Sequence, residues 1–281
     1  MTYTVPQEAI DSFEQDGYAI LPSVIDAETL SMLHMECGYF IGYMDAWMTN
    51  KNIEVMGITH KGKRYFISNR YRESPDMHRF LFSELMQEIT MKFLGPNAYL
   101  FVEQWVVKGA EQGMKFAWHQ DSGYVKFIDP PNVHKPYITC WCALDDMSSE
   151  NGTISVLPHD VVGTRNNVLD HVREEGSNDL IGYDGNEPGI EISVPKGSIV
   201  VFSSTSLHRS SANNTQRRRR AYLAQYSCEP LFSSTGKLWS QAVPFTQNGE
   251  IIYDHTRDTK DRDLQVSRLR EVQRDLESAP S

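Results

Sequence analysis

The sequence predicts an α+β domain in which N-terminal helices precede an antiparallel β sandwich or barrel. Up to about residue 98 the apolar residues recur mostly with helical spacing. From residue 99 they fall instead into short runs rich in β-branched and aromatic residues, each bounded by Gly, Pro, Asn or Asp. No helical pattern separates those runs, which excludes the crossovers that a parallel sheet needs. With 281 residues, 40% of them hydrophobic and 23% charged, the chain has ordinary globular composition and length enough for one large domain.

The elements follow in order. Residues 6–16 put Ala9, Ile10 and Phe13 on one face and stop at Gly17. Tyr18–Leu21 reads as a short strand ended by Pro22. Asp26 caps a longer helix through Leu30, Leu33 and Cys37, and another helix spans about 76–94 before Gly95-Pro96. Strands are then expected at 99–107, 115–119, 137–144, 152–157, 190–194, 198–202 and 219–227. The Gly-, Asn- and Asp-rich stretch 162–188 is too long for a connector and reads as a lid or a mobile segment. The charge-dense tail after Asp254, with Leu264, Leu269 and Leu276 as sparse apolar points, reads as a surface helix. Residues 1–281 thus form one domain: a helical cap over about 1–98, a β core over about 99–230 and a tail over 231–281.

Several functional classes are excluded early. A formal charge of −10 argues against a protein that tracks a nucleic-acid backbone. No apolar run reaches the roughly 18 residues of a membrane span, and Met1–Ile10 lacks the basic and apolar regions of a signal peptide. Four cysteines make no disulfide framework: Cys37 and Cys228 are isolated, and Cys140 and Cys142 flank Trp141 too closely to bridge. A cytoplasmic enzyme acting on a small molecule is expected.

His119-x-Asp121 is the first chemical signal, although nine histidines and 37 acids in 281 positions give about one His-x-acid pair by chance. The chain has two. His34-x-Glu36 lies on the second helix, where residues two apart point about 200° away from each other and share no ion. His119 and Asp121 end an extended run, where residues two apart face the same side. His208, after the strand 198–202, stands at a comparable edge and supplies a third ligand. Two imidazoles and a carboxylate that leave positions open suit non-haem iron. In the run Arg217-Arg-Arg-Arg220, alternation through Ala221 and Leu223 turns Arg219 inward, where it needs an anion such as a dicarboxylate. The other three arginines read as a solvated turn.

These residues belong to a longer set. His119-Gln-Asp-Ser122, Thr139-Cys-Trp-Cys-Ala-Leu-Asp-Asp146, Glu150-Asn-Gly-Thr153 with Val156-Leu-Pro158, and His208-Arg-Ser210 with Asn213, Thr215 and Arg219-Arg-Ala221 occur in that order. Together with the opening Phe13–Pro22, they resemble the phytanoyl-CoA dioxygenase family of Fe(II)/2-oxoglutarate oxygenases over residues 10–230. The resemblance implies a double-stranded β-helix, the cupin-like jelly-roll barrel, with the N-terminal helices packed around it. It implies Fe(II) held by His119, Asp121 and His208, with O2 as oxidant. It also implies 2-oxoglutarate gripped by Arg219 and Ser210. Trp141, on the opposite side of its strand from Cys140 and Cys142, either walls the cosubstrate or sits in the core, and Gln104 is a further candidate contact. Tyr124, Phe127, Arg64 and Tyr65 are candidate substrate contacts. The implied reaction hydroxylates or desaturates an unactivated C–H bond of a small organic substrate while 2-oxoglutarate becomes succinate and CO2.

One departure stands out. Pro158-His-Asp-Val161 replaces the family's Pro-Gly-Ser-His, in a segment expected to line the approach to the pocket. Asp121 is retained, whereas halogenating relatives lack that carboxylate. A metal-binding jelly roll without oxygenase activity, such as a cupin-like isomerase or sensor, needs the same ligands but not Arg219. A zinc hydrolase needs a general base near the metal instead.

Overall fold

The computed structural model describes residues 3–278 apart from Gln112, with side chains of the last helix followed to residue 274. The cap runs α1 (Gln7–Asp16), β1 (Tyr18–Leu21), α2 (Ala27–Lys51), β2 (Val55–Met56), β3 (Thr59–His60), β4 (Arg64–Ser68), α3 (Met77–Leu81) and α4 (Glu84–Phe93). The core continues with β5 (Ala98–Lys108), β6 (Phe116–His119), α5 (Asp121–Ile128), β7 (Ile138–Ala143), β8 (Ile154–Leu157) and α6 (His159–Val162). It closes with β9 (Val172–Arg173), β10 (Leu180–Ile181), β11 (Ile190–Glu191), β12 (Ile199–Ser203), β13 (Leu207–Ser210) and β14 (Arg219–Ser227). β15 (Val243–Gln247), β16 (Glu250–Ile251) and α7 (Arg262–Ser278) make the tail.

The major sheet has the order β1-β12-β7-β14-β5-β4-β3-β2, with β15 also on β5; the minor sheet has the order β11-β8-β13-β6. From β6 to β8, and again from β12 to β14, the chain alternates between the sheets, which is the double-stranded β-helix. Every strand pairing is antiparallel. Period-two alternation divides the major sheet. Val106, Trp141, Ala143, Phe202 and Leu223 face the minor sheet's Ile154 and Val156. Trp105, Cys140, Cys142, Val201 and Tyr222 face outward under the helices, against Leu33, Cys37, Phe40 and Phe80. Asp26 caps α2 by accepting from Thr29 N at 2.8 Å, and Gly17 ends α1 at φ +84°, a conformation suited to glycine.

Four expectations change. The helix over 76–94 is two helices, because Ser83 caps α4 with its hydroxyl toward Met86 N. The cap is not wholly helical: Arg64–Ser68 forms β4 and extends the major sheet alongside β5. The stretch 162–188 contains the β9–β10 hairpin. The tail helix docks rather than floats, burying Leu269 and Val272. Leu269 packs with Tyr99, Leu238 and Ala242. Leu264 is exposed, and the side chain of Leu276 lies outside those described. Among the described residues no helix is long and apolar enough to cross a membrane.

Candidate active site

β13 pairs with β6 in the register His208↔His119, so the imidazoles lie side by side with ring centroids 4.1 Å apart. Gln120 remains extended, at φ −111° and ψ 140°. Asp121 therefore returns to the same side, although it opens α5 and does not end a strand. Its Oδ1 lies 3.8 Å from His119 Nε2 and 3.7 Å from His208 Nε2. One ligand atom from each residue falls within 4.8 Å of the others.

The surrounding bonds orient all three. His119 Nδ1–H donates to Ala117 O at 2.8 Å and His208 Nδ1–H to Ser206 O at 3.1 Å, which turns both Nε2 lone pairs to the centre. Asp121 Oδ2 accepts from Thr139 Oγ1 at 2.5 Å and Gln225 Nε2 at 2.9 Å, leaving Oδ1 for an ion. Burial, with His208 adding to it, holds the His119 imidazole well below its ordinary pKa, so the ring is neutral as a metal ligand must be.

The ligands open onto a cavity of about 210 Å³. At its other end is Arg219, 1% exposed. Its Nη2 donates to Gly152 O at 2.9 Å, while Nε and Nη1 have no partner. Trp141 lies under the guanidinium, 5.6 Å from ring centroid to Cζ. Gly152 makes this possible: at φ +74° a Cβ there would sit 2.3 Å from Ser211 O, so only glycine brings its carbonyl to the arginine. Two orphaned, buried guanidinium nitrogens, with three N–H donors between them, are costly unless an anion reaches them.

The other expected residues divide. Ser210, Trp141, Gln104 and Tyr124 line the cavity, with Tyr124 edge-on to His119. Tyr65 does not: it points to the outer face and donates to Asp45. Phe127 is surface-exposed beneath Arg173. Arg64 lines the cavity but is not available to substrate, because all five of its N–H donors are used. Nε donates to Ile58 O, Nη1 to Lys115 O and Asp179 Oδ2, and Nη2 to Ser177 O and Asp179 Oδ1. Arg217 and Arg218 are exposed as expected. Arg220 is no free turn residue, since it forks onto Asp145 through Nε and Nη2.

One segment departs from expectation, and a second makes contacts that local sequence does not report. Residues 158–161 do not line the cavity. The His159 ring instead occupies the space where Gly17 lacks a side chain. The stretch 162–188, expected as a lid or a mobile segment, packs as a wall beside the ligands and is tied to the core at both ends. Gln120, between two ligands, donates to Asn167 O and Thr205 O and accepts from Leu169 N, while Asp179 holds the far end to Arg64. Sequence reasoning missed Lys108, Thr139, Gln225 and Asp179. Strand parity does carry Lys108, because it shares a face with Gln104 and Val106 on β5.

A double-stranded β-helix that holds a two-histidine, one-carboxylate centre beside a buried arginine defines the class of non-haem iron oxygenases that use 2-oxoglutarate. The family model for phytanoyl-CoA dioxygenase (PhyH) matches residues 13–221, and the chain belongs to that family. It is 28% identical over 163 residues to the peroxisomal phytanoyl-CoA dioxygenase of Mus musculus, covering 54% of this chain and 46% of that protein. The chain thus spans about half the length of that relative. A methylphosphonate hydroxylase of Gimesia maris is 24% identical over 230 residues, 81% of this chain and 82% of its own. EvdO2 of Micromonospora carbonacea var. aurantiaca, solved with 2-oxoglutarate, has a TM-score of 0.63 at 21% identity, over 84% of this chain and 96% of its own. The cofactors of this class are Fe(II), 2-oxoglutarate and O2, and the donor set fits them. Two free Nε2 atoms and one free carboxylate oxygen converge at one end, and a cation with unmet donors waits at the other.

Proposed function

We propose that this protein is an Fe(II)/2-oxoglutarate-dependent dioxygenase that hydroxylates an unactivated C–H bond of a small organic molecule. One oxygen atom of O2 goes to the product alcohol and the other to succinate, with CO2 released; desaturation is the variant outcome. The observation that carries this reading is the coexistence, in one cavity, of the three convergent ligands and an arginine with two unpartnered donors. His119, Asp121 and His208 would hold the iron, which when bound supplies the redox chemistry that activates O2. Arg219 and Ser210 receive the far carboxylate of 2-oxoglutarate, and Trp141 and Gln104 wall it. Phe66, Phe116 and Val102 give the cavity apolar sides that shed water, and Tyr124 stands at the ligands where a substrate C–H bond has to arrive. Four free cysteines favour a reducing compartment, the cytoplasm.

A non-oxygenase metal protein would leave the Arg219 donors without purpose. The test is anaerobic addition of Fe(II) and then 2-oxoglutarate, read by the visible metal-to-ligand absorption band, followed by O2 and assay of succinate. A band and O2-dependent succinate are expected. Metal binding with neither result would replace this reading with the cupin-like one.

A further inference from the structure

Across the major sheet, β4, β5 and β14 place three basic side chains in one register row, since Lys108 is opposite Arg64 on one side and Arg219 on the other. All three line the same cavity. Their charge balance is unequal. Arg64 is neutralised by both oxygens of Asp179. The carboxylate that lines the cavity, Asp121, belongs to the metal end. Lys108 is 1% exposed, and its Nζ donates to the backbone oxygen of Ser211, beside the cosubstrate contact Ser210. An ammonium has three donors, and the described residues satisfy one of them. Two neighbouring basic side chains, Lys108 and Arg219, therefore meet at the end of the cavity with unused donors and, among the described residues, no carboxylate between them.

We propose that Lys108 is a second anchor for the far carboxylate of 2-oxoglutarate, and that it takes up a proton when the cosubstrate binds. This rests on the oxygenase reading above. The groups facing Lys108 are Arg219 from β14, Arg64 from β4, and Asp179 from the wall, which is committed to Arg64. In that setting burial, then Arg219 and Arg64, lowers the Lys108 pKa to about 5, so the amine is neutral before the cosubstrate arrives. A carboxylate placed between Lys108 and Arg219 reverses the balance and favours the ammonium. One carboxylate then faces one fixed and one acquired positive charge. Cosubstrate binding coupled to the uptake of one proton weakens as pH rises, by up to about tenfold per pH unit.

Calorimetry of 2-oxoglutarate binding to the Mn(II)-loaded protein, in buffers of different ionisation enthalpy at pH 7.5, reads this directly. The observed enthalpy should change with buffer enthalpy by about one proton taken up in the unaltered protein. Lys108→Met should bind about tenfold more weakly with no proton taken up. Lys108→Arg, which is charged throughout, should bind without proton uptake and with a flat pH profile, and it serves if the methionine variant folds poorly. Binding without proton uptake in the unaltered protein, or unchanged affinity in Lys108→Met, would overturn the role of Lys108 and leave the oxygenase reading intact. Absence of any 2-oxoglutarate binding by the unaltered, metal-loaded protein would overturn the oxygenase reading itself.

Discussion

Asp179→Ala tests whether the wall beside the metal site is held by its buried ion pair. Both partners are essentially inaccessible, at 0% and 1% side-chain exposure, and their closest contact is 2.6 Å. Removing the carboxylate leaves Arg64 buried with two N–H groups unmet and its charge uncompensated. Breaking a buried pair in this way costs about 3–5 kcal/mol. At roughly 2–3 °C per kcal/mol for a chain of this size, that is a fall of about 6–15 °C in Tm. Ala117 N also donates to Asp179 Oδ2 at 3.3 Å, so β6, which carries His119, loosens with the wall. Thermal unfolding followed by circular dichroism measures the first effect. Limited proteolysis measures the second, because residues 162–188 should resist cleavage in the unaltered protein and be cut in Asp179→Ala. Asp179→Asn, which keeps two hydrogen-bonding atoms, should lose less than the alanine variant. A Tm shift under about 2 °C for Asp179→Ala, with the wall still protected, would refute the clamp.

Other outcomes are expected. His119→Ala, Asp121→Ala and His208→Ala should each abolish tight Fe(II) or Mn(II) binding, read by calorimetry, while far-ultraviolet circular dichroism stays unchanged. Arg219→Lys should raise the 2-oxoglutarate KM by one to two orders of magnitude, equivalent to about 1.4–3 kcal/mol for a lost bidentate contact. Arg217→Lys and Arg218→Lys should move that KM less than about twofold. Arg220→Lys should instead lower the Tm, because it loses the fork onto Asp145. In the protein without cosubstrate, the unfolded chain carries one more proton on Lys108 than the folded one between pH 5 and the ordinary lysine range. Folding stability from this group therefore rises with pH, by up to about 1.4 kcal/mol per unit, and is lost as pH falls toward 5. Urea titrations at pH 6, 7 and 8 should show this slope, and Lys108→Met should remove it.

The legible part of the site was the part written in local periodicity. Alternation along 219–227 separates Arg219 from Arg220, and the helical setting of His34 removes it from consideration. Both deductions need only neighbouring residues. His208 lies within a strand and not after one; Leu207–Ser210 is short, and its histidine, arginine and serine disguise it in the sequence. Arg64 and Tyr65 are neighbours in sequence, yet on β4 they face opposite sides of the sheet, and so short a strand is hidden among helices. The stretch 162–188 looked mobile because Gly, Asn and Asp are usually solvated. What holds it in this structure is a partner 115 positions away in sequence, Asp179 with Arg64, and an amide between two metal ligands. No local pattern reports either. Thr139 and Gln225 act on Asp121 from β7 and β14, and that meeting exists only once the sheets have formed.

The alternation of β7 also bears on chemical survival. An oxygenase that fires without substrate oxidises whatever faces its cavity, and thiolates are the most susceptible protein groups. β7 presents Trp141 to the cavity and turns Cys140 and Cys142 to the outer core, one backbone thickness away. Burial raises both thiols above their ordinary pKa, and Cys37 opposite them is pushed up to about 12. All three stay protonated and inert. Under the proposed activity, self-inflicted damage would fall on the indole ahead of these three thiols; Cys228, also raised by burial, is the one of the four that is only half-buried.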